Sequence, residues 1–504
     1  MRREAEVVLD FQSSLGTISP FIYGHFSEHI GGVFYDGLWV GEDNRIPNIR
    51  GFRKALVESF KKLNPPVLRW PGGCFAETYN WRDGIGARDQ RPVRLNWWTS
   101  YDGRYESNQV GTHEFIDFCR MVGAEPYFAA NLTSVTPLHI QNWIEYCNLP
   151  ANTTTLAKER EENGSKEPFQ VKYWGLGNEN WGGGGHMTPE MYAREYIRFL
   201  TVCQEVDRAH TKFILCGPNA HDVAWTRRVM KEWAESHDGR DLTWGLSAHY
   251  YCGTAGAPQT FTEDEWYQLL FQADFMRRIV DEHRAAMDEF DPDRKIALVI
   301  DEWGCWHKDG SGPSKGYNLF EQQSTMRDAV VAAMTLNLFN NRADVVKMAN
   351  VAQLCNNLHS LYLAGGEGFA ETPNYHVFDL FKDHQGAKQI STAVHADIME
   401  RNGFRPMTLL SASASEKDGY VNVTLANLSM TDECSVSLVP VSSAISKDAS
   451  LRLLCHEDVH ACNTFENPEC VHPVDSQIKF TEKNEIVLPP AAVALIKFKK
   501  EARN

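Results

Sequence analysis

Short apolar runs and longer amphipathic segments alternate along most of this chain. The runs that predict strands are Phe21–Phe26, Val67–Pro71, Pro126–Leu132, Val171–Asn178, Phe213–Pro218, Leu246–Tyr251, Ile296–Glu302 and Val345–Leu354. Between them, helical spacing predicts helices over Phe52–Leu63, Thr112–Val122, Pro189–Val206, Thr226–Ser236, Glu263–Glu289 and Glu321–Asn340. The third of these opens with Thr188-Pro189, a threonine cap followed by proline at the first helical position. Strand–helix alternation repeated eight times predicts a (β/α)8 TIM barrel, an α/β fold. Residues 152–167 are polar and charged and read as an exposed loop.

After about residue 385 the period changes from helical to alternating. Tyr420–Leu428, Ser435–Val439 and Ala491–Phe498 carry apolar residues at every second position, with turns at Lys417-Asp418-Gly419 and Pro489-Pro490. That pattern predicts a C-terminal antiparallel β-sandwich, jelly-roll-like. The N-terminal strand Glu4–Phe11 is expected to join it, because the first barrel strand starts only near Phe21. The expected division is a barrel over 17–385 and a sandwich built from 1–16 plus 386–504.

Composition narrows the classes. A chain of 504 residues, 43% hydrophobic and 23% charged, accommodates a large domain and a smaller one. A net charge of −16 argues against nucleic acid and against an anionic membrane surface as partner. No run of about 18 apolar residues predicts a membrane span. Met1–Asp10 has two arginines but no apolar stretch after them, so a cytoplasmic location is expected. The 12 cysteines are scattered, many within apolar runs, which suits free thiols in a reducing compartment. Cys74, Cys305 and His307 have no diagnostic metal spacing, and Cys455, Cys462 and Cys470 lack a CxxC pair, so no metal is expected.

Two of the predicted strands end in a glutamate: Glu179 after Val171-Lys-Tyr-Trp-Gly-Leu-Gly-Asn178, and Glu302 after Ile296-Ala-Leu-Val-Ile-Asp301. On this count they close strands 4 and 7, on the face of the barrel where such folds keep their chemistry. Two facing carboxylates are what acid/base hydrolysis of a glycosidic bond requires. Other polar residues fall near the same face. Glu28 and His29 follow strand 1, and Arg69 through Asp83 follows strand 2, with Gly72-Gly73 for close backbone approach and Tyr79 and Trp81 for stacking. His249, Tyr250 and Tyr251 follow strand 6, Trp303 and Trp306 flank Glu302, and Gln353 and Asn356 follow strand 8.

Taken together, Asn178-Glu179, Asp301-Glu302-Trp303, Arg69-Trp-Pro-Gly-Gly73, Tyr79-Asn-Trp81, Gly24–Gly32, Asn148-Leu-Pro150 and Asn463-Thr-Phe-Glu-Asn-Pro468 resemble the α-L-arabinofuranosidases of glycoside hydrolase family 51, from about Ile18 to Phe498. The resemblance implies a retaining exo-hydrolase releasing terminal α-L-arabinofuranosyl residues from arabino-oligosaccharides, with no cofactor. It implies Glu302 as nucleophile and Glu179 as acid/base. Glu28, Arg69, Cys74, Asn178, His249, Tyr251, Trp306 and Gln353 would then bind the sugar or hold the nucleophile. It also implies a homo-oligomer, commonly a trimer of dimers. Cys74 stands where an asparagine would supply an amide, a departure that bears on sugar preference and not on mechanism. The same scaffold also accommodates a retaining endo-β-glucanase or β-xylosidase. A non-catalytic sugar-binding protein would be expected to have lost one of the two glutamates.

Overall fold

The computed structural model describes residues 2–43, 45–236, 240–253 and 255–501. Eight strands close into a barrel in the order of the chain: Gly24–Phe26, Val67–Trp70, Glu125–Ala130, Tyr173–Leu176, Lys212–Leu215, Thr243–Gly253, Ala297–Trp306 and Val346–Ala352. Neighbours run parallel, with His25 beside Leu68, Arg69 beside Tyr127, and Phe128 beside Trp174. A parallel sheet is covered on both faces, which is why these strands are near-continuous apolar runs. Behind strands 2 to 4, Trp70 stacks on Phe115 at 4.9 Å, and Phe128 stacks on Trp143 at 4.8 Å. Offset aromatic pairs of this kind contribute about 0.5–1.5 kcal/mol each beyond their burial.

A nine-stranded sheet forms separately. Arg2–Asp10 lies within it, parallel to Glu433–Val441 and antiparallel to Lys388–His395, as the N-terminal pattern predicts. Its alternate residues Ala5, Val7 and Leu9 enter a core with Val423, Leu425, Val436 and Ile496. The turn at Lys417-Asp418-Gly419 is a two-residue hairpin, with φ of 53° at Asp418 and 78° at Gly419 and Lys417 paired to Tyr420. Positive φ at both central residues matches the right-handed twist of the flanking strands.

The chain separates into two compact units. One comprises Gly24–Tyr250 and Ile279–Glu302; the other comprises Met1–Tyr23, Tyr251–Arg278 and Trp303–Asn504. Among the described residues no helix is long and apolar enough to cross a membrane.

Several boundaries differ from the sequence pattern. The predicted loop at 152–167 contains a helix, Thr155–Glu162, with the Thr154 hydroxyl accepting from the Ala157 amide at 3.2 Å. Its buried residues are Ala157 and Arg160, so no apolar stripe announces it. The long helix over Glu263–Glu289 is interrupted at Phe275 into Glu263–Asp274 and Met276–Asp288. The helix predicted from Glu321 begins at Met326, because Thr325 and Asp328 close a capping box there. Glu179 does not end strand 4, which stops at Leu176; strand 7 continues past Glu302 to Trp306.

Candidate active site

The turn after strand 4 brings Glu179 out of the strand. Gly177 has φ +91°, where an added Cβ would meet Asn180 Oδ1 at 2.1 Å, so only glycine fits. Glu179 itself takes φ +44°, a left-handed conformation that costs a residue with a Cβ about 1–3 kcal/mol. Its carbonyl accepts from the amides of Gly182 at 2.7 Å and Gly184 at 3.0 Å, so the glycine run wraps around the acid.

His249, on strand 6, connects the carboxylates. Its Nδ1 lies 2.9 Å from Glu179 Oε1 and 3.5 Å from Glu302 Oε2, and its Nε2 lies 3.0 Å from Asp301 Oδ1. A carboxylate oxygen of Glu179 and one of Glu302 approach within 4.8 Å of each other. Burial pulls the imidazole toward its neutral form. The charges of Glu302 and Asp301 and the hydrogen bonds to Asp301 and Glu179 outweigh it and raise His249 to about 10. The ring is therefore a cation at neutral pH.

Arg69, on strand 2, supplies the second fixed charge. Its Nη1 donates to Glu302 Oε1 at 2.8 Å, its Nη2 donates to Asn178 Oδ1 at 2.6 Å, and its Nε lies 3.5 Å from Asp301 Oδ2. Tyr127 OH donates to the same Asp301 oxygen at 2.9 Å. Burial is the largest influence on the Glu302 carboxyl and holds it above the ordinary glutamate range. His249 and Arg69 oppose that shift, and the Glu179 charge adds to it. Asp301 has the opposite balance: burial raises it, but Arg69, His249 and Tyr127 bring it below its ordinary range.

Glu28 forms a third wall. Its Oε1 accepts from the Phe75 amide and from Trp98 Nε1, each at 3.0 Å. Burial, reinforced by the Glu302 charge, raises it to about 7. Gly73 lies against these acids: a Cβ there would come 3.0 Å from Glu302 Oε1 and 3.4 Å from Glu28 Oε2. The Cys74 thiol lies 3.8 Å from Glu179 Oε2. Burial, then the charges of Glu179, Glu28, Glu302 and Glu77, push that thiol far up, so it stays protonated. Among the described residues, Asn178 Nδ2 is a buried donor with no hydrogen-bond partner.

Glu28, Arg69, Cys74, Asn178, Glu179, His249 and Glu302 thus form one cluster. His29, Tyr79 and Trp81, in the same unit, have partners of their own. His29 is pinned on both ring nitrogens: Nδ1 meets Glu106 at 3.1 Å, and Nε2 accepts from Trp70 Nε1 at 3.0 Å. Tyr79 and Trp81 are buried, Trp81 lying parallel to Trp143 at 6.3 Å, and so belong to the core. In the other compact unit, Tyr251 meets Trp306 edge-on at 5.3 Å, and Trp306 is 38% exposed. Trp303 is buried against Phe339 and Phe378. The buried Gln353 donates its backbone amide to Asn357 O at 3.1 Å, and the Asn356 side chain braces its own loop through Ala364. Glu77 and Trp98 carry no periodic signal, and the sequence pattern does not single them out.

Among the described residues, two groups of side chains bring potential metal donors within 4.8 Å: Glu179, His249 and Glu302, and in the other unit Cys305, Asp328 and His359. The first contains a cationic imidazole, which offers no lone pair. In the second, Asp328 already accepts from the Thr325 amide at 2.9 Å and meets His307 Nε2 at 2.9 Å.

Residues 59–255 match a family model described as the α-L-arabinofuranosidase 1 domain, and residues 301–492 match one described as the α-L-arabinofuranosidase C-terminal domain. The chain is 36% identical to an intracellular exo-α-L-arabinofuranosidase of Bacteroides ovatus, across 97% of this chain and 94% of that one. It is 30% identical to a probable α-L-arabinofuranosidase C of Aspergillus niger, across 96% and 95%. Among solved structures, it superposes on a GH51 arabinofuranosidase from Xanthomonas axonopodis pv. citri with a TM-score of 0.92 and 34% identity, covering 99% of this chain and 100% of the other. An α-L-arabinofuranosidase from Thermotoga maritima in complex with arabinose gives 0.87 and 31%, covering 98% and 100%.

Proposed function

The chain belongs to the α-L-arabinofuranosidases of glycoside hydrolase family 51, and from that membership we propose that it releases terminal α-L-arabinofuranosyl residues from arabino-oligosaccharides by double displacement. Glu302 attacks the anomeric carbon and Glu179 protonates the departing oxygen. Glu179 then removes a proton from the incoming water. The observation that carries this reading is the approach of the two carboxylates to within 4.8 Å across one imidazolium. Retaining glycosidases hold their carboxyl groups about 5–5.5 Å apart, whereas inverting ones leave room for a water at about 6.5–9.5 Å.

The surrounding charges have separate tasks in this mechanism. Arg69 and His249 favour the ionised form of a nucleophile that burial disfavours. They also fix its orientation, Arg69 through a 2.8 Å hydrogen bond. Asp301 keeps both cations in place and takes no part in bond making. The Asn178 amide, held through its oxygen by Arg69, presents Nδ2 to a sugar hydroxyl, and Glu28 accepts from another. The enzyme acts inside the cell on imported oligosaccharides and assembles as a homo-oligomer, a hexamer by family resemblance. The catalytic barrel spans residues 17–385.

Initial rates on p-nitrophenyl α-L-arabinofuranoside test the assignment, with wild type beside Glu302→Ala and Glu179→Ala. The expected outcome is a fast wild type, an inactive Glu302→Ala, and a Glu179→Ala that azide rescues. A Glu302→Ala variant that still turns over overturns the roles. A wild type that cleaves only aryl β-xylosides or β-glucosides overturns the substrate.

A further inference from the structure

Glu77 lies on the short helical turn Cys74–Thr78 that follows strand 2, and its side chain is fully buried. Four N–H groups converge on its carboxylate. Oε1 accepts from the Asn178 amide at 2.6 Å and from Asn180 Nδ2 at 3.0 Å. Oε2 accepts from the amides of Leu132 and Thr133, each at 2.9 Å. All four donors are neutral. Burial pushes the Glu77 carboxyl up, and these hydrogen bonds work against that shift. One side chain therefore joins the loops after strands 2, 3 and 4.

The third of those loops is the one that carries Glu179. Asn178 and Asn180, its immediate neighbours, are both held by Glu77 Oε1. Between them Glu179 takes φ +44°, a conformation that persists only where the surroundings impose it. Asn180 Nδ2 also donates to Gly184 O at 2.7 Å, and Thr133 Oγ1 donates to the same carbonyl at 2.7 Å, so the glycine loop is tied to the same support. The hydrogen bonds of Glu77 are made to the residues on either side of the acid.

The geometry points to Glu77 as a positioning residue for the acid/base: its carboxylate holds the Asn178–Glu179–Asn180 turn in the orientation from which Glu179 reaches the leaving oxygen. This inference rests on the proposed role of Glu179. It follows that loss of Glu77 weakens proton donation and leaves nucleophilic attack by Glu302 intact.

Glu77→Gln is the test. The amide keeps the volume but turns one acceptor oxygen into a donor, so two of the four N–H groups face another N–H. The kcat/KM value reports events up to formation of the glycosyl-enzyme. A p-nitrophenolate leaves with little protonation, whereas a methyl or benzyl alcohol requires it. Expected is a kcat/KM within about 3-fold of wild type on p-nitrophenyl α-L-arabinofuranoside, and a loss of about 10-fold or more on the methyl or benzyl arabinofuranoside, the scale of general-acid catalysis being about 10²–10⁴-fold. Equal losses on both substrates, or none on either, overturn the inference. Should Glu77→Gln fail to fold, Asn180→Ala removes one of the four donors and is expected to show the same leaving-group dependence in smaller measure; its absence there is equally decisive. If wild type cleaves a different glycoside and ignores arabinofuranosides, the substrate reading fails while the leaving-group comparison proceeds on that glycoside.

Discussion

Asp301 Oδ1 lies 3.0 Å from His249 Nε2, and both side chains are buried. The pair makes stability depend on pH. His249 is raised from an ordinary 6.5 to about 10, so the folded state binds its proton more tightly than the unfolded chain does. That contribution is fully present below about 6.5 and is lost as pH rises toward 10. Replacing His249 by Gln should therefore lower Tm more at pH 6 than at pH 9.5. Thermal unfolding of both proteins at the two pH values checks this, and an unchanged gap would contradict it.

Arg69 opposes the burial that raises Glu302. Arg69→Lys retains a charge but not the fork that reaches Glu302 and Asn178 together. With weaker opposition Glu302 takes up its proton at higher pH, so the acid limb of the kcat/KM profile moves upward. The plateau value should fall on the order of 100-fold, as when one preorganised donor is removed from an active site. A pH–rate profile of the variant reads both effects, and an acid limb that stays in place counts against this charge balance.

The Cys74 thiol is held protonated by burial and by the carboxylates around it. Alkylation requires the thiolate. At pH 8, iodoacetamide should label Cys74 much more slowly than it labels free cysteine, as followed by peptide mass spectrometry. Labelling at or above the rate of free cysteine would show that the site is less acidic in character than its geometry implies.

Arg160 tests the helix that polarity concealed. Its guanidinium donates to the carbonyls of Tyr146 and Leu149 at 2.7 Å, Lys166 at 3.0 Å and Ser165 at 3.1 Å. Arg160→Met leaves these acceptors without their donor and should destabilise the fold by about 2–5 kcal/mol. Thermal unfolding should register that loss while kcat/KM of the folded fraction stays near wild type. A variant as stable as wild type would mean that water replaces the guanidinium without penalty.

The legible part of the fold is the part that local pattern encodes. The helix Thr112–Val122 has the predicted bounds, and the helix at Pro189 starts at its Thr188 cap, because caps and apolar stripes are short-range features. Every predicted barrel strand is present with its ends moved by a few residues. Strand ends shift because a ladder stops where a neighbour stops, and neighbours are far away in sequence. The helix at Thr155–Glu162 escaped because Arg160, a charged residue, occupies the position where an apolar one would signal burial.

The two glutamates, the arginine and the asparagine beside them were readable because polar residues at the ends of apolar runs are conspicuous. Their relationships were not. Arg69 meets Glu302 across 233 residues of chain, and Glu77 meets Asn178 across 101. His29 and His249 look alike in sequence, yet one is pinned between Trp70 and Glu106 and the other becomes a cation among three carboxylates. The sequence by itself determined the barrel, the added N-terminal strand and the pair of acids, since periodicity and residue type act over a few residues. Only the tertiary structure decided which buried polar groups face each other, and hence their charge, because that depends on which distant strands the closed barrel brings side by side.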